Sequence, residues 1–290
     1  MTQVAAQPAM SKRRKSLWHK LLRNPVAVLP ALLLGVAVIL ALAAPLLVPH
    51  NPDLPDLAHR LLPPGSPGYG LGTDSLGRDI LSRVLYGARV SLAVGGAAVI
   101  GAGVIGVLAG LVSGYFGGVV DDVIMRIADV QLSVPFLLLA LVVIAAVGPS
   151  LPNLVFILIL RNWVTYARIV RSQVLELRTL TYVEAARAIG ETDGRILVKH
   201  ILPQVWGSVI AITSFTMAEA MIAEASLSFL GAGVQPPTAT WGSMLKENLL
   251  YLATGWWTVV FPAIALTVVI LSLNILGDWL RDALDPTLQR

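Results

Sequence analysis

The sequence predicts an all-α, polytopic membrane protein, and three observations carry that prediction. Of 290 residues, 56% are apolar and only 13% are charged, about half the charge of an ordinary soluble domain. Runs long enough to cross about 30 Å of hydrocarbon, roughly 20 residues each, recur six times, at approximately 26–48, 91–112, 124–147, 152–171, 206–229 and 258–277. Between them, basic residues gather on alternate connections. The formal net charge of +4 is dispersed along the chain and gives no footing for nucleic acid. The absence of cysteine excludes disulfides and thiolate chemistry.

Residues 1–25 form a basic tail with Lys12, Arg13, Arg14, Lys15, Lys20 and Arg23 and no acid. The first span, 26–48, contains Ala41-Leu42-Ala43, which resembles a signal cleavage site. Its apolar run is far longer than the roughly 7–15 residues of a signal peptide, so it is read as a retained span. A basic tail ahead of a span belongs in the cytoplasm, and six crossings return the tail at 280–290 to the same side. The connection 168–203 then faces the cytoplasm with Arg168, Arg171, Arg178, Arg187, Arg195 and Lys199, while the short outer connections 148–151 and 231–257 hold one base, Lys246. The external segment 49–90 balances four arginines against Asp53, Asp56, Asp74 and Asp79. Within it Ile80, Leu81, Val84 and Leu85 share one face, while Asp79 and Arg83 leave the other. That pattern predicts a short amphipathic helix lying on the outer surface.

Residues 91–279 form a five-helix core. Pro30, Pro135 and Pro262 fall inside spans, where neighbouring groups re-satisfy the freed carbonyl. Gly106, Gly110 and Gly114, spaced by four, place three missing side chains on one helix face, and predict close packing against another helix, with a sliding contact as the alternative. Arg161, near the middle of the fourth span, and Glu219 and Glu224 in the fifth are candidate path residues, because each intramembrane charge costs at least ~2.5 kcal/mol. The two acids, five apart, point to different faces. Arg161 is expected to pair with Glu219, or failing that with Glu224.

No chemical motif is present: no G-x-x-x-x-G-K loop, no H-E-x-x-H, no G-x-S-x-G. His19, His50, His59 and His200 lie far apart in the chain, so no shared metal site is expected. The chain reads as no enzyme and as holding no cofactor of its own. Nucleotide chemistry, if any drives it, sits on another polypeptide.

The inner connection 172–203 is the most informative. Glu184, Ala185, Ala186 and Arg187 favour helix through Ile189, and Gly190 can adopt the left-handed conformation that stops it. Thr192 or Asp193 is placed to cap a second short helix near Arg195, with Leu202-Pro203 closing that turn before the fifth span. Two alanines beside Glu184 offer a small-side-chain face to a partner protein. On these grounds alone a capped, solvent-exposed linker explains the segment equally well.

Residues 184–203 resemble the coupling signature of ATP-binding-cassette importer permeases: E-A-A, three residues, G, nine residues, I, one residue, L-P. Glu184, Ala185, Ala186, Gly190, Leu202 and Pro203 match; His200 stands at the isoleucine position, with Ile201 adjoining. Leu71-Gly72-Thr73-Asp74-Ser75-Leu76-Gly77-Arg78-Asp79, Gly114-Tyr115-Phe116-Gly117-Gly118, Leu227-Ser228-Phe229-Leu230-Gly231, Trp241-Gly242 and Leu280 to Pro286 resemble the C-type permease of dipeptide, oligopeptide and nickel importers. The resemblance implies a type I importer permease with six membrane helices, working with a second, different permease subunit in a bacterial inner membrane. Two cytoplasmic ATPase subunits would bind ATP and Mg and receive Glu184 to Gly190 in a groove, and an external solute-binding protein would deliver cargo. Short peptides are the expected cargo, with nickel complexes, glutathione or another small solute as alternatives. A secondary transporter without ATPase partners is the rival class, although the chain shows no clear internal repeat of the kind such proteins carry.

Overall fold

A computed structural model describes residue 21 and residues 24–284. The bases predicted to anchor the N-terminal tail, and the end of the C-terminal motif at Asp285 and Pro286, lie outside the described residues. Among the described residues the regular structure is helical, apart from two isolated bridges, and the segments 48–79 and 230–240 are mostly turns and irregular backbone. Among the described residues five helices are long and apolar enough to cross a bilayer, and a pair bent by 90° makes a sixth where it counts as one broken span.

Helix α1 (Pro25–Leu47) starts where the Asn24 side chain accepts the Val26 N–H at 3.1 Å and Pro25 pre-sets the first turn. It packs on α2 (Ile80–Phe116) and α10 (Trp257–Leu284). Leu32, Ile39, Leu42 and Leu46 stay exposed, which suits a hydrocarbon environment.

Helix α2 (Ile80–Phe116) runs 37 residues, about 55 Å at 1.5 Å per residue. The segment 79–88 is therefore not a separate surface helix but the first turns of α2, since no proline interrupts residues 80–116. Asp79 is its N-cap, accepting the Ser82 N–H at 2.9 Å and the Ser82 hydroxyl at 2.5 Å. The face expected to be polar and solvated is instead buried: Asp79 and Arg83 are 2% and 0% exposed.

Arg83 is buried because it has partners. Arg78 Nε donates to Asp74 Oδ2 at 2.7 Å, Arg78 Nη2 to Glu247 Oε2 at 2.6 Å, and Arg83 Nη2 to the same Glu247 oxygen at 2.9 Å. Asp74 also accepts the backbone N–H groups of Leu76 and Arg78. Two arginines and two acids thus tie segment 49–79 to α2 and to α9 (Trp241–Asn248). Helix α9 lies in what the sequence marks as a loop. The Trp241 indole N–H donates to Val84 O at 3.0 Å, and Gly242 is so close to Ala225 that an added Cβ would lie 2.6 Å from its Cα.

The third predicted span is two helices, α3 (Gly118–Ser133) and α4 (Phe136–Val147), meeting at 90°. Pro135 lacks the N–H and crowds the preceding residue into extended backbone, and Val134 sits at φ −97°, ψ 126°. Helix α3 runs antiparallel to α5 (Leu151–Leu177), fastened by Asp121–Arg171 at 2.5 Å and Asp129–Arg168 at 2.6 Å.

The glycine ladder faces α5. A Cβ on Gly110 would lie 2.6 Å from Ala167 O and 2.7 Å from Val170 Cβ. One on Gly114 would lie 2.8 Å from Val174 Cβ, and one on Gly106 would overlap the Trp163 carbonyl and Tyr166. Backbone meets backbone along two turns of both helices. Gly110→Leu is expected to lower the thermal stability of the purified protein by about 1–3 kcal/mol, the usual cost of overpacking. An unchanged melting curve would show that the two helices separate without loss.

Helix α8 (Leu202–Phe229) packs against α2, α5 and α10. Gly277 of α10 closes on the Phe215 ring. The core has two parts, one around α2, α5 and the segment 183–201, the other around α9, α10 and the start of α2.

Candidate coupling site

The segment between α5 and α8 forms one compact unit at the end of the bundle opposite α9. Helix α6 (Thr181–Ala188) is amphipathic on a small scale: Val183 and Ala186 are 0% and 6% exposed, while Tyr182, Glu184, Ala185, Ala188 and Ile189 are exposed. The two alanines therefore do not share a free face, because adjacent helical residues point about 100° apart. Ala186 is packed inward, leaving Ala185 beside Tyr182 and Ile189 on the outer side.

Gly190 ends α6 at φ +84°. Its N–H donates to Arg187 O at 3.0 Å, and the Glu191 N–H donates to Ala186 O at 3.1 Å. This is a complete Schellman closure, which satisfies two orphan carbonyls and needs a left-handed residue. Space around Gly190 is open, with nothing within 4 Å of an added Cβ, so backbone conformation alone demands glycine.

Thr192 precedes the short helix α7 (Asp193–Ile196) but makes no side-chain cap. The expected turn at Leu202-Pro203 is absent. A π turn at Leu197–Ile201 carries α7 directly into α8, with the Leu202 N–H reaching back to Leu197 O. Pro203 has no N–H to give, and the wider i→i−5 bond takes up the register. His200 and Ile201 divide the work of the expected isoleucine. Ile201 is fully buried, and His200 Nε2 lies 2.7 Å from Glu191 Oε2. That histidine holds the Glu191 carboxyl below the usual carboxylate range.

Arg161, Glu219 and Glu224 are not brought together. The Arg161 guanidinium lies 4.5 Å from the centroid of the Phe136 ring at the α3–α4 break. Glu219 is exposed on α8, and Glu224, fully buried, accepts the Ser228 hydroxyl at 2.7 Å. The α5 face toward α8 carries Tyr166, which meets Thr216 at 2.7 Å, and Gln173, which meets Ser208 at 2.5 Å. This antiparallel register extrapolates Arg161 to about Met221, between Glu219 and Glu224. Arg161 is five residues from Tyr166, however, about 140° around the helix, and so faces α4 instead.

Next to the coupling unit, α5, α8 and α10 enclose an open cavity of about 640 Å³. Gln173, Glu176, Gln204, Ser208 and Arg281 give it a polar lining, with Phe215 among its apolar contributors. No local pattern announces it, because its lining comes from three helices at unrelated spacings. Among the described residues no group of histidine, aspartate and glutamate side chains is arranged to hold a metal ion.

An all-helical bundle with several candidate spans and a two-helix excursion at one end defines the class as a polytopic membrane protein. The description "Binding-protein-dependent transport system inner membrane component" matches residues 106–290, and "N-terminal TM domain of oligopeptide transport permease C" matches residues 13–64. A dipeptide transport system permease protein of Bacillus subtilis is 39% identical over 98% of this chain and 88% of its own length. A glutathione transport system permease protein of Pectobacterium atrosepticum is 40% identical over 95% of this chain and 91% of its own. Among solved structures, the inward-facing methionine ABC transporter MetNI shares the fold. Its TM-score is 0.57 at 21% identity, over 71% of this chain and 98% of that chain. The chain belongs to the permease subunits of binding-protein-dependent ABC importers, in their C-type peptide-permease branch. It is a transport component, not an enzyme, and membership implies ATPase and substrate-binding partners.

Proposed function

We propose that this chain forms half of the translocation path of an ATP-driven importer of short peptides, and couples that path to cytoplasmic ATPase subunits through α6. The carrying observation is the exposed Tyr182, Ala185 and Ile189 face on a helix locked by the Gly190 closure. The opposite face is anchored in the core, so a push on α6 reaches the bundle without being absorbed by a loose loop. Glu184, Ala185, Ala186, Gly190, Leu202 and Pro203 make up the coupling unit. A second, different permease completes the path, two ATPase subunits bind ATP and Mg, and an external solute-binding protein delivers cargo. The cavity lined by Gln173, Glu176 and Arg281 is this chain's inner share of the path. Groups of both signs suit the termini of a zwitterionic peptide. Arg161, beside a helix broken at membrane depth, is the further candidate path residue, since irregular backbone there is tolerated where it borders protein or a wet cavity.

Peptide cargo is supported by relatives named for dipeptides. The relative named for glutathione, itself a modified tripeptide, keeps that solute as the second reading. On this reading both termini and residues 172–203 face the cytoplasm, in a bacterial inner membrane.

Two measurements test the proposal. Single cysteines at positions 193 and 239 should respectively resist and react with an impermeant thiol reagent in intact cells. Labelling of 193 from outside would overturn the orientation. The affinity-purified chain should bring down ATPase subunits, and vesicles holding the complex should take up labelled dipeptide only with ATP. Uptake driven by an ion gradient alone would move the protein to the secondary transporters.

A further inference from the structure

The motif Gly114-Tyr115-Phe116-Gly117-Gly118 is not part of the coupling signature, yet the fold sets it against that segment. Tyr115, 6% exposed, is the next-to-last residue of α2. Its hydroxyl donates to Asp193 Oδ1 at 2.6 Å and accepts from Arg187 Nη2 at 3.2 Å. The Arg187 guanidinium also lies 5.5 Å from the centroid of the Tyr115 ring, within range of a cation–π contact.

The neighbouring residues complete the arrangement. Arg178 Nη1 donates to the Gly114 and Tyr115 carbonyls at 3.0 and 3.3 Å, serving the otherwise orphaned end of α2. Gly117 and Gly118, at φ 65° and 53°, then turn the chain sharply into α3. A Cβ on Gly117 would meet Arg178 Nη1 at 3.1 Å, so the turn and the arginine fit closely.

One hydroxyl therefore joins three elements distant in sequence: the end of α2, the last turn of α6 through Arg187, and the first residue of α7 through Asp193. Chain connectivity links the coupling unit to α5 and α8. It does not link it to α2.

We propose that Tyr115 is a positioning residue that makes the end of α2 part of the coupling unit, so that displacement of α6 is delivered to α2 as well as to α5 and α8. The consequence is large, because α2 is locked to α5 by the glycine ladder along one stretch and to the charge network at its other end. The inference rests on the reading of α6 as the ATPase-coupled helix.

The test uses the assembled transporter in proteoliposomes and reads cargo taken up per ATP hydrolysed. Tyr115→Phe keeps the ring beneath the guanidinium and removes only the hydroxyl. It and Asp193→Ala, which removes the accepting oxygen, are each expected to lower the ratio by about tenfold, equivalent to ~1.4 kcal/mol. The double variant should fall no further, because both changes break one contact. An unchanged ratio in Tyr115→Phe, or losses that multiply in the double variant, would overturn the proposal. So would a lower yield of complex whose surviving fraction keeps the wild-type ratio, since that is the mark of a purely structural contact. The coupling reading fails separately, through a wild-type complex whose uptake ignores ATP.

Discussion

Gly190→Val should abolish transport by the assembled complex while leaving membrane insertion intact. The left-handed conformation at φ +84° costs an ordinary L-residue roughly 1–2 kcal/mol, and a β-branched side chain makes it a genuine outlier. Nothing within 4 Å of the added Cβ would clash, so the damage is confined to the Schellman closure. Relief of that strain unwinds the bonds from Gly190 and Glu191 to Arg187 and Ala186, and turns the exposed face of α6 away. Uptake and cargo-stimulated ATP hydrolysis, measured on equal amounts of complex, should both be lost. Gly190→Asn, whose side chain tolerates left-handed backbone, should retain a substantial part. Full transport by the valine variant would remove the glycine from any coupling role.

Asp74→Ala should be the most destabilising single change at the opposite end. The carboxylate is fully buried, holds Arg78 at 2.7 Å and lies 3.6 Å from Arg83 Nε. Removing one partner of a buried ion network strands the others and costs about 3–5 kcal/mol. Thermal unfolding of the solubilised complex should report the loss, and limited proteolysis should cut segment 49–79 first. Lys199→Ala, which breaks an exposed lysine's pair with Glu191 at 3.7 Å, should cost less than about 1 kcal/mol by the same assay. Equal losses from the two would mean that burial does not set the strength of these contacts.

The spans were legible because hydrocarbon imposes one requirement on every residue of a helix, and local composition reports it. The Gly106–Gly110–Gly114 face was legible for a similar reason: a missing side chain at spacing four has few other uses. Arg83 was not. Its position in an amphipathic pattern suggested water, whereas its partner Glu247 stands 164 residues away and cannot be read from any local window. Arg161 shows the same limit in another form. Depth along α5 follows from counting residues, but the direction it faces depends on which helix packs where. The break at Val134-Pro135 was not expected, because the sequence reads Pro135 as tolerated inside one span. Pro30 and Pro262 do lie inside unbroken helices, so a proline alone does not tell a 90° break from a continuous helix. At the coupling site, signature spacing located Gly190, while the inward turn of Ala186 and the Tyr115 contact needed the tertiary structure.

The π turn that fuses α7 to α8 has a mechanical consequence. Asp193 to Phe229 is one rod of 37 residues, about 55 Å long by helical rise. With no joint along it, a tilt of about 5° imposed at Asp193 sweeps Phe229 sideways by about 5 Å, close to one helical pitch. At that far tip Gly233 and Gly242 hold neighbouring backbone against Ser228 and Ala225 without a side chain's clearance. On the proposed coupling reading, a rod without a joint carries a tilt imposed at α7 whole to that tip, where a hinged connection would absorb it in bending.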